Sequence, residues 1–541
     1  MKRKFLPLTL AFLLTGSLFL SATGCGGNNG GGTSDVIVDP TKTQIYVSCY
    51  TGGFGSDWMA QAISNFNANH SEYQVIKLQD NKDDNGMIMS RMEAGTDKAD
   101  VYVAGNDIYH MANKGLLMDL SDIYDDEVDG KPLQDKIDGL DDWANSLKYE
   151  GKWYGIPHND ELISAVVDYA LLEKNGWLIY DEDGNVSVGR DGEAGTLDDG
   201  LPVTLDEWEE MVMNIAATDT LPFIYSGVYY FYCDHFMFNM LAQYLGEDSY
   251  MRYYDWNGNY VDPETKAVTA ITPETGYKLF TADKGKLKVA QFAEEYLINK
   301  DYVHPSSFLS TDHMKAQSNF ILGHHKAASN PQAAILFDGI WWENEARPTF
   351  MANENAKDYE YGFGVHDYRI LPAPVLDNSV GYKGNTNATY LQSNGNNSIY
   401  ARKTNDATKE TGIKEFIKYL ASDEISQIYA VQAGGVRPYD YSPSEADYQA
   451  MTPFTRSVYS LVEDRDNCKI LRTQLLTYKH ELNYMPVTTK ASIYNYKAAN
   501  GLTYNNFISG LRAGLTAQQI FDGASLYYTQ SVWNGMLAEL N

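Results

Sequence analysis

Apolar and polar positions change period segment by segment along this chain. From Gln44 to Tyr50 they alternate, with Ile45, Val47 and Cys49 on one side, which predicts a strand. Beyond Gly52-Gly53-Phe54-Gly55-Ser56 the period lengthens, and Trp58, Met59, Ala62, Ile63 and Phe66 form the apolar stripe of a helix. Tyr73–Leu78 predicts a second strand, Met87–Glu93 a helix and Ala99–Ala104 a third strand. This order implies parallel strands joined by crossover helices. Further along, Thr204-Leu205-Asp206-Glu207 reads as a capping box that opens a helix through Trp208, Met211, Val212 and Ile215. Ile335-Leu336-Phe337 predicts a buried strand that turns at Asp338-Gly339. Between Tyr180 and Gly200 the pattern gives way to an acidic, glycine-rich surface loop. Internal repeats and Pro-rich linkers are absent from the sequence, so the cores are expected to be interleaved rather than strung in series.

The amino terminus has a different character. Lys2, Arg3 and Lys4 precede the apolar run Phe5–Leu20, which falls short of the roughly 20 residues a spanning helix needs. Small residues follow, Ser21-Ala22-Thr23-Gly24-Cys25, and the whole reads as an export signal. The ending at Cys25 resembles the lipobox of bacterial lipoproteins, with Ala22 where that motif most often has Leu. The resemblance implies cleavage after residue 24 and lipidation of Cys25, with Gly26–Ser34 as a flexible tether.

Composition narrows the function classes. With 541 residues, 44% hydrophobic and 21% charged, the chain is globular rather than disordered, fibrous or polytopic in a membrane. Lys+Arg 42 against Asp+Glu 72 gives a net charge of −30, which argues against nucleic-acid binding. The 41 Tyr and 9 Trp outnumber 20 Phe, and rings with a polar handle suit half-wet surfaces. Cys49, Cys233 and Cys468 have no C-x-x-C spacing; one disulfide could form outside the cell, but three buried thiols are the favoured reading.

Catalytic motifs are not found. His480-Glu481 lacks the second His of a zinc-protease motif, and no G-x-S-x-G or zinc-type Cys/His spacing occurs. Among 72 carboxylates a glycosidase-type acid pair stays open, yet no pair stands out. Gly52–Ser56 matches neither phosphate-binding glycine motif and reads as a loop at a sheet's edge. His324-His325 is the one tight histidine pair, but adjacent residues on a helix face apart, which weighs against a metal site. In the acidic loop, Asp181, Asp183, Asp191 and Asp198 are a weak Ca²⁺ candidate. The glycine of D-x-D-G-N comes too early for an EF-hand and no Glu closes the loop, so a solvated loop and no cofactor are expected.

Several segments together resemble the family 1 extracellular solute-binding proteins, the lipid-anchored receptors of bacterial carbohydrate ABC importers. After the lipobox and the Ile45–Phe66 unit come Ala99-Asp100-Val101-Tyr102-Val103 and Gly115-Leu116-Leu117-Met118-Asp119-Leu120-Ser121. Gly151-Lys152-Trp153-Tyr154-Gly155-Ile156-Pro157, Leu171–Gly176 and Pro202–Trp208 follow, then Ala333–Trp342, Lys414–Ser422 and Gly434-Gly435-Val436-Arg437-Pro438. The resemblance spans nearly the whole chain, with 180–200 and Tyr244–Pro273 as insertions.

It implies an α/β, two-lobed, periplasmic-binding-protein-like fold, each lobe a mainly parallel sheet flanked by helices, joined by hinge strands. By that resemblance the signal occupies 1–24 and the lipidated Cys with its tether 25–42. Lobe 1 takes 43–155 plus about 365–432, and lobe 2 about 156–364 plus 433–541. The chain would cross near Gly155–Pro157, Tyr361–Val365 and Gln432–Val436. Ligand contacts are expected at Asp57, Trp58, Asn106, Asp107, Asp160, Glu161, Trp341, Trp342 and Arg437. Trp58 equally fits the helix stripe, Asp107 equally caps the helix at Ile108, and Trp341 and Trp342 cannot both face the cleft along a strand. The implied function is a non-enzymatic, monomeric receptor on the outer face of the cytoplasmic membrane, with a carbohydrate ligand and ABC permease partners. The alternatives are an extracellular carbohydrate-active hydrolase or lyase, or a receptor of the same fold for a peptide or other polar solute.

Overall fold

The alternation at Ile45, Val47 and Cys49 becomes strand β1, Thr43–Cys49, in which all three side chains are fully buried. The computed structural model describes residues 37–538 apart from 79–84, 106, 328, 378, 382–386, 396 and 476–490. The export signal, Cys25 and the tether lie outside the described residues. Helix Asp57–Asn69 buries the five residues of its apolar stripe and packs on helix Asp423–Ala433. Strands β2 (Tyr73–Lys77) and β3 (Val101–Gly105) both run parallel to β1.

The chain then leaves this sheet. Strand β4 (Gly155–Pro157) belongs to it, whereas β5 (Ile163–Asp168), a few residues on, belongs to another. Strands β6 (Leu221–Ile224), β7 (Ala333–Gly339) and β8 (Tyr368–Leu371) join β5, and β9 (Asn397–Ala401) returns to the first sheet. The resulting orders are β2-β1-β3-β9-β4 and β6-β7-β5-β8. The capping box forms as the sequence predicts: Thr204 Oγ1 accepts from Glu207 N, and the Glu207 carboxylate accepts from Thr204 N at 2.8 Å.

Two expectations are corrected. The sheets are mixed rather than mainly parallel, because β9 runs antiparallel to β3 and β4, and β5 antiparallel to β7 and β8. The second passage between sheets is not near Tyr361–Val365, since β8 still pairs with β5; it falls between Gln392 and β9. All three passages meet: Asp160 bridges Val436, and Leu162 bridges Ser393. Both sheets lie in one compact unit, Pro40–Asn541.

The acidic loop has its own internal logic. Asp181 Oδ1 accepts from the amides of Asp183 and Asn185, and Asp198 Oδ2 from those of Arg190 and Asp191. These carboxylates close turns, which is why Asp is abundant there. Arg190 points inward, donating to Gln243 at 3.0 Å and Thr389 at 2.8 Å. Cys49, Cys233 and Cys468 are buried thiols with no disulfide among the described residues. No helix among the described residues is long and apolar enough to cross a membrane.

Trp342 anchors the core beside the second sheet. Its indole is fully buried, edge-on to Tyr368 at 5.1 Å and Phe454 at 5.6 Å, with Phe320 and Phe350 at 5.9 Å. Trp342→Ala should therefore cost about 3–5 kcal/mol in a chemical denaturation curve, from lost contact and the cavity left behind. A loss below about 1 kcal/mol would mean this cluster does not hold the core together.

Candidate functional site

A cavity of about 320 Å³ opens where the carboxyl end of β1 faces the carboxyl end of β7. From the first-sheet side it is lined by Tyr50, the Gly52–Gly55 loop, Trp58, His158 and Tyr429, and from the other side by His313, Trp341 and Glu345. Glu161, Asn159 and Asn397, on and beside the passages between sheets, complete the lining.

Trp341 is the hub of the contact across this cavity. A Cβ on Gly339, the last residue of β7, would overlap the indole, and one on Gly53 would sit 2.8 Å from Trp341 Cγ. The ring thus lies between two residues that must lack side chains. Phe54 meets it edge-on at 5.7 Å, and Asn344 Nδ2 donates to Phe54 O at 2.5 Å. Behind it, Gln317 Nε2 donates to Asp338 Oδ2 at 3.0 Å and Glu345 Oε2 at 2.7 Å, while His313 Nε2 lies 3.2 Å from Glu345 Oε1. The Glu345 bond raises the His313 pKa, and burial pushes Asp338 up to about 7, aided by the Glu345 charge.

On the opposite wall Trp58 stacks on His158 at 5.1 Å and stands edge-on to Tyr429 at 5.2 Å. Burial, helped by the Arg437 charge, holds His158 well below its usual pKa, so the ring is neutral. Asn159 Nδ2 donates to Tyr429 Oη at 3.0 Å, and its buried Oδ1 has no partner among the described residues.

Of the residues expected from sequence, the structure brings Trp58, Glu161 and Trp341 to this cavity. The others stand elsewhere. Asp57 is exposed on the first turn of its helix. Asp107 sits at the helix start but bonds His110 at 2.7 Å instead of capping an amide. Asn106 lies outside the described residues. Both oxygens of the buried Asp160 accept from Arg472, at 2.9 and 2.8 Å. Arg437 is buried too, donating to His158 O at 3.0 Å and Leu420 O at 2.6 Å. These two charges hold the passages together rather than face the cavity, and Trp342 faces the core. Asn159, which follows the first crossing as the resemblance also implies, is on the wall too, whereas Tyr50, His313, Glu345 and Tyr429 carry no sequence signal: the first three are ordinary polar residues at an element's end and Tyr429 lies within the helix Asp423–Ala433.

Glu161 is electrostatically unusual. Burial raises its carboxyl from 4.5 to about 7, opposed by the bond donated from Asn397 and aided by the Asp160 charge. The folded state then holds this proton up to about pH 7 whereas the unfolded chain releases it near 4.5, so folding stability falls as pH rises through that window. Urea titrations at about pH 5 and about pH 8 should show wild type losing stability, and Glu161→Gln losing less. Equal losses in the two proteins would place the protonation elsewhere.

The family model described as bacterial extracellular solute-binding protein matches residues 61–452. No curated protein is detectably similar in sequence. Among solved structures, a chitin oligosaccharide binding protein aligns with a TM-score of 0.52 at 16% identity, over 92% of this chain and 99% of its own. The apo-form of RafE from Streptococcus pneumoniae gives 0.55 at 13% identity, over 92% and 99%. RafE in complex with raffinose gives 0.53 at 12% identity, over 92% and 100%. At such identities the likeness establishes the fold, two α/β lobes around a cleft.

Proposed function

The chain belongs to the bacterial extracellular solute-binding proteins, and from that premise we propose that it captures a carbohydrate between its lobes and passes it to an ABC importer without transforming it. In this reading one lobe is built on β1–β4 and β9 and the other on β5–β8, and the three passages form the hinge about which they close. The observation that carries it is the composition of the cavity wall. Trp341, Trp58 and Tyr50 offer aromatic surface, Asn159, Asn397, Glu161 and Glu345 offer hydrogen-bonding groups, and no Lys or Arg lines the cavity among the described residues. A peptide or other solute with a carboxylate or phosphate would bring a negative charge to a wall without Lys or Arg, where His313 is already engaged by Glu345, whereas uncharged hydroxyls need the amide and carboxyl partners present. The names of similar structures, a chitin oligosaccharide binder and a raffinose complex, point the same way.

Calorimetry against a panel of neutral oligosaccharides tests this. Trp341→Ala should weaken the cognate sugar by about 2–4 kcal/mol, as loss of a central aromatic anchor does, while Trp342→Ala lowers stability and spares affinity in the folded fraction. Chromatography of the same sugars after long incubation should show no new product. Binding of none of the panel, or Trp341→Ala binding as wild type does, would sink the carbohydrate reading; accumulating product would make the protein an enzyme.

We place the protein outside the cell by its family and tether it there through Cys25. Cys25→Ser should shift the protein from the membrane fraction to the medium. Unchanged membrane association in that variant would count decisively against lipid anchoring.

A further inference from the structure

Among the described residues, six other than glycine hold a positive φ, and two of them, Lys326 at 48° and Lys357 at 65°, flank one side-chain cluster. Lys326 follows His324-His325, a tight turn that ends the helix His313–Leu322. Lys357 precedes Asp358, just beyond the helix Arg347–Asn355. Left-handed backbone at a side-chain-bearing residue costs energy and persists where surrounding structure enforces it, often at ligand clamps.

The two turns aim three potential ligands at one point. His324 Nε2 lies 2.7 Å and His325 Nε2 3.9 Å from the same Asp358 Oδ2, and the ligand atoms all fall within 4.8 Å of one another. The reason that weighed against this pair in the sequence does not hold, because the residues occupy a tight turn rather than a regular helix, and their rings lie 3.9 Å apart. His324 is also oriented from behind. Its Nδ1 lies 2.7 Å from Ile321 O, a carbonyl that can only accept, and Tyr361 stacks on the ring at 3.6 Å and 7°. The Ile321 contact leaves Nε2 as the nitrogen turned toward Asp358. A proton bridges one imidazole to the carboxylate, as the 2.7 Å contact of His324 allows, whereas a metal ion engages both imidazoles and the carboxylate at once.

We propose that His324 Nε2, His325 Nε2 and the Asp358 carboxylate form a binding site for a first-row divalent cation, with Zn²⁺ the best match. Zn²⁺ takes imidazole nitrogen and carboxylate oxygen at about 2.0–2.2 Å in tetrahedral geometry, which spaces ligand atoms about 3.3 Å apart, between the two distances seen. The backbone carbonyl on Nδ1 is the outer contact that ligating histidines usually make. Mg²⁺ and Ca²⁺ prefer all-oxygen shells and do not suit two imidazoles. His325 is exposed and leaves the fourth position to solvent. None of the three residues lines the sugar cavity, but the helix that ends at the two histidines begins at His313, which does. The inference does not depend on the carbohydrate reading.

The test is titration of the untagged full-length protein with Zn²⁺ alone, by calorimetry and thermal melting. Wild type should bind one more equivalent than His325→Gln, and the affinity of that site should fall at least tenfold in His325→Gln and Asp358→Asn. The melting temperature should rise with Zn²⁺ and stay unchanged with Ca²⁺ or Mg²⁺. Co²⁺ added instead should give the intense visible bands of a tetrahedral centre, lost in His325→Gln, whose exposed side chain leaves the fold undisturbed. Equal Zn²⁺ binding by wild type and both variants, or an equal thermal shift with Ca²⁺, would overturn the site.

Discussion

Asp160 is fully buried with both carboxylate oxygens held by Arg472, and Arg472 Nη2 reaches on to Asp138 at 2.7 Å. This cluster sits where the chain passes from the first sheet to the second, so it fixes the point about which everything else is arranged. Removing one partner of such a pair typically costs about 3–5 kcal/mol, because the other charge is left buried and uncompensated. An apolar substitute could fill the space but would not specify direction. The fork of Arg472 engages Asp160 edge-on and so sets which way the passage from β4 to β5 must leave the sheet. The cavity is a consequence. Once the passages are pinned, the carboxyl ends of β1 and β7 face each other, and the Gly52–Gly55 loop meets Trp341.

Much of the fold was legible because its first sheet is built from local patterns. The Trp58–Phe66 stripe and the Thr204–Glu207 box predict their helices from neighbours three and four residues apart, and no distant contact changes the answer. The passage expected near Tyr361–Val365 failed for the opposite reason. Whether Tyr368–Leu371 joins one sheet or the other is decided by pairing with Ile163–Asp168, about 200 residues earlier, and a pattern of apolar residues fits either.

The candidate site was legible at Trp341, where an aromatic residue follows a glycine turn, and at Glu161, but not at the charges Asp160 and Arg437. Asp160 and Arg437 are expected as ligand contacts only through the family resemblance, by their places after the first crossing and in the late turn, and charged residues are seldom buried. Here burial is tolerated because each has partners supplied from far along the chain, Arg472 for Asp160 and the His158 carbonyl for Arg437. Glu161, next to Asp160, has no cation of its own among the described residues, and this difference leaves its carboxyl raised on the cavity wall.

The excess of tyrosine has a second explanation besides ligand contact. Where the chain passes between sheets, β4 is an edge strand and the turn at Gly435 is irregular, so their outward carbonyls need donors from side chains. Tyr124 Oη donates to Gly155 O at 2.7 Å, Tyr439 Oη to Pro157 O at 2.6 Å and Tyr459 Oη to Gly435 O at 3.0 Å. All three rings are buried, so each supplies core area as phenylalanine would and also satisfies a carbonyl that phenylalanine would strand. An unsatisfied buried carbonyl costs about 1–3 kcal/mol, which is more than the desolvation of one paired hydroxyl. A protein whose two sheets are joined by irregular crossing segments therefore favours tyrosine over phenylalanine in its interior.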